Sequence, residues 1–381
     1  MKRMFPLILA ALLLLGCAAQ PEPTESEIPT MPPETVPTPE ETEAPTIEEP
    51  DPVEEILAGM SLEEKVGQLF LARCRMDTAL ADIEQYHLGG YVLFGVDFRD
   101  ETPESLQEKL LSYQEAATIP MLLAVDEEGG TVCRVSTNPA FRSEKFPEPR
   151  ESYEKGGLAL ALSLEAEKAY LLHSLGLNVN LAPVCDISQD PSAFMYHRSL
   201  GADPVTTGAF VTGTLERMRQ NGVGGVMKHF PGYGENGDTH TGQVVDTRTP
   251  EELESRDLVP FAAGIAQGLG AILVSHNIVT ALDETMPASL SPKVMGYLRE
   301  KMGYTGVIVT DDLVMGALGS YTPEEAAVLA VQAGATLLCS TDFDTQIPAV
   351  LEAVRDGRIS EAAIDDAAYR NLSWKLQLGL L

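Results

Sequence analysis

The stretch GGVMKHFPGYGENGDTHTG, residues 224–242, joins a short apolar segment to a loop that carries several polar side chains. Its first four residues are small and apolar, which predicts a buried strand. The part that follows is too rich in glycine to form a helix or the interior of a strand. This loop carries Asp238 and His240, a carboxylate and an imidazole two residues apart. It therefore predicts an acid/base group that follows the end of a strand.

Eight short apolar runs, separated by helix-like segments, recur along the chain after residue 52. Most are continuous rather than alternating, which is typical of strands buried on both faces. Eight such β/α units predict an α/β protein with a (β/α)8 TIM-type barrel in a single catalytic domain. An open doubly wound sheet is the alternative, but no G-x-G-x-x-G follows any run. The runs are 67–72, 90–94, 121–126, 179–184, 225–229, 271–275, 306–310 and 335–340.

Polar side chains come at the points where these strands end. In a barrel the carboxyl ends of the strands converge on one face, so we expect these side chains to meet there. Four of the six histidines also lie in or after such ends, which unrelated core histidines would not do. The polar residues are Asp126, Asp186, Lys228, His229, His276, Asn277 and Asp311, and the four histidines are His197, His229, His240 and His276.

The N-terminus has the pattern of a bacterial lipoprotein signal peptide over residues 1–16. Lys2 and Arg3 precede an apolar run, 5–15, that is too short to span a bilayer comfortably. The run ends in Leu-Leu-Gly before Cys17, which resembles a lipobox and predicts acylation of that thiol. The expected location is extracytoplasmic, with a lipid anchor in the cell membrane. An ordinary signal peptide or an uncleaved anchor remains the alternative.

Residues 17–52 follow as a segment of proline, glutamate and threonine with almost no large apolar side chains. Ten prolines lie between Pro21 and Pro52. Because such a segment buries too little surface to offset its chain entropy, we expect a disordered, extended linker. The catalytic domain is then predicted over 53–381. The net charge of −31 argues against nucleic acid as a partner.

Four cysteines remain after Cys17, and none forms a CxxC pair. Three of them lie in or beside apolar strand-like runs, which favours buried thiols. A disulfide stays open for an exported protein. The four are Cys74, Cys133, Cys185 and Cys339.

Six motifs run in one order from about residue 61 to residue 380, and together they resemble glycoside hydrolase family 3. The likeness is to its β-N-acetylglucosaminidase branch, in a single-domain lipoprotein form. One such motif would be weak, whereas six in order are specific. They are DEEGG at 126–130, APVCD at 182–186, RSLG at 198–201, KHFPG at 228–232, PASLS at 287–291 and TDD at 310–312.

The resemblance implies an exo-acting, retaining β-N-acetylglucosaminidase, or β-hexosaminidase. The expected substrate is GlcNAc at the non-reducing end of cell-wall fragments, muropeptides or chitooligosaccharides. Asp311 is implied as the nucleophile, with the adjacent Asp312 as the alternative. His240 is implied as the general acid/base, oriented by Asp238. We expect the enzyme to need no cofactor or metal. We also expect it to be a monomer.

The same resemblance implies sugar contacts from five side chains, Asp126, Arg134, Arg198, Lys228 and His229. For Arg198 a structural ion pair is an equal interpretation. Asp186 is expected to brace the mouth of the barrel, and His276 stays open between the pocket and the core. The chain departs from the family pattern at Tyr233, where histidine is frequent, and at Thr131, where arginine is.

Four other functions compete with this one. A phosphorylase would use the same residues, and a related β-glycosidase would prefer another sugar. A metal-dependent barrel hydrolase would take its ligands from His229, His240, His276 and Asp311, although the His-x-His usual on the first strand is missing. A non-catalytic surface lipoprotein would only bind glycans.

Overall fold

The computed structural model describes residues 51–381, and the barrel in it confirms the predicted fold class. The predicted signal peptide, the acylated Cys17 and the linker up to residue 50 lie outside the described residues. Eight short parallel strands form the barrel, and two further strands, β6 and β8, pair beside it. The strands are β1 Phe70–Arg73, β2 Gly90–Leu93, β3 Leu122–Val125, β4 Val179–Asn180, β5 Gly224–Phe230, β6 Val245–Asp246, β7 Ala271–Val274, β8 Ile278–Val279, β9 Ile308–Thr310 and β10 Leu338–Ser340.

The strands pair in the order β10-β1-β2-β3-β4-β5-β7-β9, and every pair is parallel. The ring closes between β9 and the residues that lead into β10. There the N–H of Leu337 donates to the carbonyl of Ile308 at 3.0 Å, and the N–H of Thr310 donates to that of Leu337 at 3.0 Å. A closed barrel brings the carboxyl ends of all eight strands to one face.

Helices surround the barrel, and their starts follow the signals in the sequence. The side chains of Ser61, Thr102, Thr249, Ser291 and Thr322 each accept a backbone N–H at a helix start. The α-helices are α1 Pro52–Ala58, α2 Leu62–Gly67, α3 Ala79–Tyr86, α4 Gly95–Phe98, α5 Pro103–Ala116, α6 Pro149–Ser174, α7 Pro204–Gln220, α8 Pro250–Glu252, α9 Leu258–Ile265, α10 Pro292–Gly296, α11 Pro323–Ala333, α12 Phe343–Arg355 and α13 Glu361–Gln377. Short 3-10 turns cover Ala288–Leu290 and Gly316–Leu318, and π-helical turns cover Leu253–Asp257 and Tyr297–Lys301.

Three predicted strands begin later than expected. Gly67 is the last residue of α2, so β1 starts at Phe70. The run from 306 forms ladder pairs only from Ile308. Before β10, two successive N–H groups, of Thr336 and Leu337, bond to one carbonyl, that of Ile308, so regular pairing starts at Leu338.

Apolar side chains fill the barrel interior, and a larger cluster packs between the strands and the helices. Helix α13 lies across the strand starts, where Trp374 closes the interior. Next to it the fully buried Lys375 places Nζ 2.6 Å from Oε1 of Gln68. Ahead of α1, Asp51 accepts the Tyr369 hydroxyl at 2.7 Å, which sets the start of the described chain at this same end.

The four cysteines within 51–381 are buried free thiols, as predicted. Burial raises the pKa of Cys74 and of Cys133 to about 11, which keeps both thiols protonated. Across the described part of the chain, none of the helices combines the length and the apolar character needed to cross a membrane.

Candidate active site

A cavity of about 770 Å³ opens at the carboxyl ends of the barrel strands. Its wall combines side chains from β2, β3, β5 and β9 and the loops after them with residues of the 131–134 and 194–198 loops. All eight residues proposed from the sequence for catalysis or sugar binding line this one cavity. They are Asp126, Arg134, Arg198, Lys228, His229, Asp238, His240 and Asp311.

The adjacent carboxylates Asp311 and Asp312 have different surroundings. Both oxygens of Asp312 are bonded, Oδ2 to the Thr341 hydroxyl at 2.6 Å and Oδ1 to the N–H groups of Thr341 and Val314. The only hydrogen bond recorded for the Asp311 carboxylate among the described residues comes from the N–H of Asp312, at 3.0 Å. Asp311 is therefore the member of the pair with a carboxylate free to react, and Asp312 secures the turn to β10.

The pKa values of the two acids also diverge. Burial alone would raise the pKa of Asp311, but the imidazoles of His276 and His229 and the N–H of Asp312 outweigh it and place the pKa below its ordinary value. For Asp312, burial wins over its hydrogen-bond donors and the pKa is raised. An ionised carboxylate at the end of a strand is the form that a nucleophile requires.

His276 is a core residue that packs behind the Asp311–Asp312 turn. It is fully buried, and its Nε2 lies 3.0 Å from the carbonyl oxygen of Asp312, so Nε2 carries the proton and donates it. Its Nδ1 lies 2.6 Å from the Ser289 hydroxyl. Burial lowers the pKa of His276, while the nearby Asp311 carboxylate acts in the opposite direction. Of the four histidines that follow strand ends, the other three line the cavity.

His240 and Asp238 form a hydrogen-bonded pair on the loop after β5. Nδ1 of His240 lies 2.6 Å from Oδ1 of Asp238, and the backbone N–H of His240 donates to the same oxygen at 2.9 Å. The carboxylate fixes the proton on Nδ1 and leaves Nε2 free to face a substrate. The His240 side chain is 58% exposed, as a group that must reach a leaving oxygen has to be.

Lys228 at the end of β5 is held by two carboxylates. Its Nζ lies 2.6 Å from Oδ1 of Asp126 and 2.6 Å from Oε1 of Glu128, and the side chain is buried. Burial would lower the pKa of Lys228, but Asp126 and Glu128 raise it above its ordinary value. The ammonium group of Lys228 is thus held rigidly in the site, and the two carboxylates balance its charge.

Arg198 combines the two roles that the sequence left open, because it lines the cavity and also forms a buried ion pair. Its guanidinium makes two parallel bonds to Glu128, at 2.9 and 2.7 Å. Its Nη2 also donates to Nε2 of His229 at 3.1 Å. The Nδ1–H of His229 then donates to Asp186 at 2.8 Å, which fixes the ring. Asp186 also accepts two backbone N–H groups, so it braces the mouth as expected.

Arg134 enters the cavity over the ring of Phe94, at 5.7 Å from its centroid. Within residues 51–381 its buried Nε has no hydrogen-bond partner. The loop that carries it is fixed by the buried Glu127, which accepts the N–H groups of Arg134 and Val135 at 2.7 and 2.8 Å. Arg134 thus lines the cavity from a loop whose backbone is fixed, a position that suits the binding of a sugar hydroxyl.

Glu128 is the site residue that the sequence interpretation missed. It is buried and touches both cations of the site, Lys228 and Arg198. Burial opposes ionisation, yet Arg198 and Lys228 hold the pKa of Glu128 well below its usual range. The DEEGG motif contains three acids in a row, and a strand end that turns into a loop does not reveal which of them faces the pocket.

The metal-dependent alternative loses two of its four ligands. Both ring nitrogens of His229 have protein partners, Asp186 and Arg198. Both ring nitrogens of His276 have them as well, in Ser289 and Asp312. A metal ion would have to displace these buried hydrogen bonds before it could bind.

Comparison with known proteins identifies relatives along most of the chain. Residues 61–373 match the glycosyl hydrolase family 3 N-terminal domain. The chain is 31% identical over 336 residues to "Beta-hexosaminidase LpqI" of Mycobacterium tuberculosis, covering 84% of each protein. It is 32% identical over 291 residues to a beta-hexosaminidase of Stenotrophomonas maltophilia, covering 73% of this chain and 83% of that protein.

Two solved structures are similar as well. A family 3 beta-N-acetylglucosaminidase from Paenibacillus sp. superposes with a TM-score of 0.79 at 33% identity, covering 84% of this chain and 63% of that one. The LpqI structure of M. tuberculosis gives a TM-score of 0.78 at 28% identity, covering 85% and 96%. With the site geometry above, these matches show that the chain belongs to glycoside hydrolase family 3.

Proposed function

We propose that the protein is an exo-acting, retaining β-N-acetylglucosaminidase that removes GlcNAc from the non-reducing end of a glycan. The observation that carries this proposal is that Asp311 and the Asp238–His240 pair line one cavity. They lie there beside the buried ion pairs that Lys228 and Arg198 form with Asp126 and Glu128. The relatives named as beta-hexosaminidases support the choice of sugar.

In the first step a carboxylate oxygen of Asp311 bonds to the anomeric carbon while the bond from that carbon to the leaving oxygen breaks. His240 donates the Nε2 proton to the leaving oxygen. In the second step His240 takes a proton from water, whose oxygen attacks the anomeric carbon and releases Asp311. The stereochemistry is retained because two inversions occur at that carbon.

Fixed hydrogen-bonding groups on the opposite side of the cavity suit the sugar hydroxyls. Asp126, Lys228, His229 and Arg198 are held by one another or by Glu128 and Asp186, so they pay little entropy to bind a ligand. Such preorganisation favours one terminal sugar in one orientation.

We further propose that the enzyme is lipid-anchored outside the cytoplasm and acts on cell-wall fragments or muropeptides. The support is the sequence of the N-terminus: the basic Lys2 and Arg3, the apolar run 5–15, and the lipobox-like Leu-Leu-Gly-Cys that ends at Cys17. Membrane fractionation of the full chain beside Cys17→Ala tests the anchor: the variant is expected in the soluble fraction. A variant that stays in the membrane fraction contradicts lipidation at this cysteine.

The activity is tested with p-nitrophenyl β-N-acetylglucosaminide beside the β-glucoside, using wild type and Asp311→Ala. We expect release from the first substrate only, lost in the variant, with the β-anomer of GlcNAc seen first by NMR. Preference for the glucoside would overturn the assigned sugar, and an initial α-anomer would overturn retention. Phosphate-dependent formation of a sugar 1-phosphate would indicate a phosphorylase instead.

A further inference from the structure

The loop that carries the acid/base pair is anchored through the residue between its two members. The side chains of Asp238 and His240 are 31% and 58% exposed, whereas Thr239 is fully buried. Thr239 therefore points away from solvent while its neighbours point to the cavity. A short polar segment without regular secondary structure has few other means to hold His240 in place.

Thr239 makes one contact with its side chain and one with its backbone. Its Oγ1 lies 2.5 Å from the hydroxyl of Tyr233, which is also buried. Its carbonyl accepts the N–H of Ala317 at 3.0 Å, from the 3-10 turn that follows Asp311. The loop is thus bonded to the segment that continues from the nucleophile.

The 3-10 turn approaches this loop so closely that a side chain would not fit between them. A Cβ atom added at Gly316 would lie 2.7 Å from the carbonyl oxygen of His240. That distance is well inside van der Waals contact. The approach holds the acid/base segment and the segment after the nucleophile at one spacing.

Tyr233 connects the same loop to the sugar-binding side of the cavity. Its ring packs edge-on against His229, with centroids 5.1 Å apart, and at a tilt against Phe194, with centroids 5.7 Å apart. Its backbone N–H donates to Asp186 at 2.7 Å, and Asp186 also holds His229. One buried side chain therefore contacts both the sugar-binding histidine and the support of the acid/base loop.

We infer that Tyr233 and Thr239 are positioning residues that hold the loop of His240 against the segment that continues from Asp311, so that His240 can transfer a proton to the leaving oxygen. The inference rests on the proposed glycosidase function. It also gives a role to Tyr233, at which this chain departs from the histidine frequent in the family pattern. Without the hydroxyl pair the loop keeps its sequence but loses its fixed position.

The test compares Tyr233→Phe and Thr239→Val with wild type on two aryl β-N-acetylglucosaminides. Phenol leaves poorly and needs the proton, whereas 2,4-dinitrophenolate leaves without it. We expect kcat/KM to fall about 10- to 100-fold on the phenyl substrate and less than about 3-fold on the dinitrophenyl one. Thr239→Ser retains a hydroxyl and should recover most of the loss. Tyr91→Phe removes another buried hydroxyl, which is bonded to the carbonyl of Ala79 at 2.7 Å. This control should leave the ratio of kcat/KM between the two substrates unchanged.

Hydrogen exchange provides a readout that does not depend on activity. The amide of Ala317 should exchange at least about 10-fold faster in Tyr233→Phe, because its acceptor on Thr239 is freed to move. Equal losses of kcat/KM on both substrates, or an unchanged exchange rate in an active variant, would overturn the positioning role of Tyr233 and Thr239 but not the proposed function. A wild type that releases neither phenol would overturn the proposed function, and with it the catalytic role of Tyr233 and Thr239.

Discussion

Oδ1 of Asp238 accepts two hydrogen bonds from His240, one from the ring Nδ1 at 2.6 Å and one from the backbone N–H at 2.9 Å. The carboxylate therefore sets the orientation of the ring and the position of its proton together. A charged acceptor stabilises an imidazolium ion, the form that donates a proton to the leaving oxygen.

Asp238→Asn keeps the size of the side chain and an oxygen for the backbone N–H, but it removes the charge. We expect kcat/KM on the phenyl substrate to fall about 100-fold with little change in thermal stability. Asp190→Asn is the matched control, because Asp190 accepts the N–H of Ser192 at 2.9 Å in a similar turn that does not line the cavity. Equal activity of wild type and Asp238→Asn would remove Asp238 from the mechanism.

The same substitution to asparagine should have different effects at Asp311 and at Asp312. Asp311→Asn is expected to lower kcat by more than about 1000-fold while the protein stays folded, because the nucleophile is lost. Asp312→Asn should retain most activity but lose about 1–3 kcal/mol of stability, since its bonds to Thr341 and Val314 weaken. Activity and thermal unfolding measured on both variants check this, and the reverse pattern would exchange the two assignments.

Glu128→Gln leaves the cations of Lys228 and Arg198 with one balancing carboxylate fewer. At pH 7 the expected loss is about 3–5 kcal/mol of stability, with a higher KM for the sugar. Because the pKa of Glu128 is held below its ordinary value of 4.5, its stabilisation is present above that pH and is lost as the pH falls below it. The stabilities of wild type and variant should therefore converge in acid.

The exposed ion pair of Glu167 with Arg142 provides the control, and Glu167→Gln should change stability by less than about 1 kcal/mol. Urea unfolding between pH 3 and pH 7 measures both variants. A constant difference between wild type and Glu128→Gln across that range would contradict the assigned charge state.

Lys375 is an ammonium group buried against an amide oxygen, with no carboxylate within 4 Å among the described residues. Burial lowers its pKa from 10.5 to about 7. The unfolded chain therefore binds more protons than the folded one between those values, so stability should rise as the pH increases from about 7 towards 10. Below pH 7 the cost of the buried charge is present in full.

Lys375→Met has a similar volume without the charge. We expect it to stabilise the protein by at least about 1 kcal/mol at pH 6 and to remove the rise between pH 7 and pH 10. The exposed Lys155→Met should leave that rise intact. Thermal unfolding across the pH range decides, and a rise that persists in Lys375→Met would contradict a charged Lys375.

The barrel could be predicted because its strands are buried on both faces, which makes them short continuous apolar runs. The candidate site could be predicted because polar residues lie at or near the ends of most of these runs, and a closed barrel brings those residues together. Asp311 follows its run, and Lys228 lies near the end of its own. The two-residue strands β6 and β8 carry no such signal and were missed.

What the sequence did not contain is the direction in which neighbouring side chains point. Asp311 and Asp312 are neighbouring residues of the same type, and the contacts of Asp312 with Thr341 and Val314 are what separate them. Glu128 stands among three acids, and its contacts with Lys228 and Arg198 span about 100 and 70 residues of sequence. Lys375 lies in a helix of mixed polarity, so nothing marks it as buried.

Asp51 and Tyr369 meet beside the starts of the barrel strands, at the end opposite the cavity. The described chain therefore begins on the face of the barrel that lies away from Asp311. The same end is also the suitable place to immobilise the protein on a bead or to fuse a second module, since the reactive face would stay accessible.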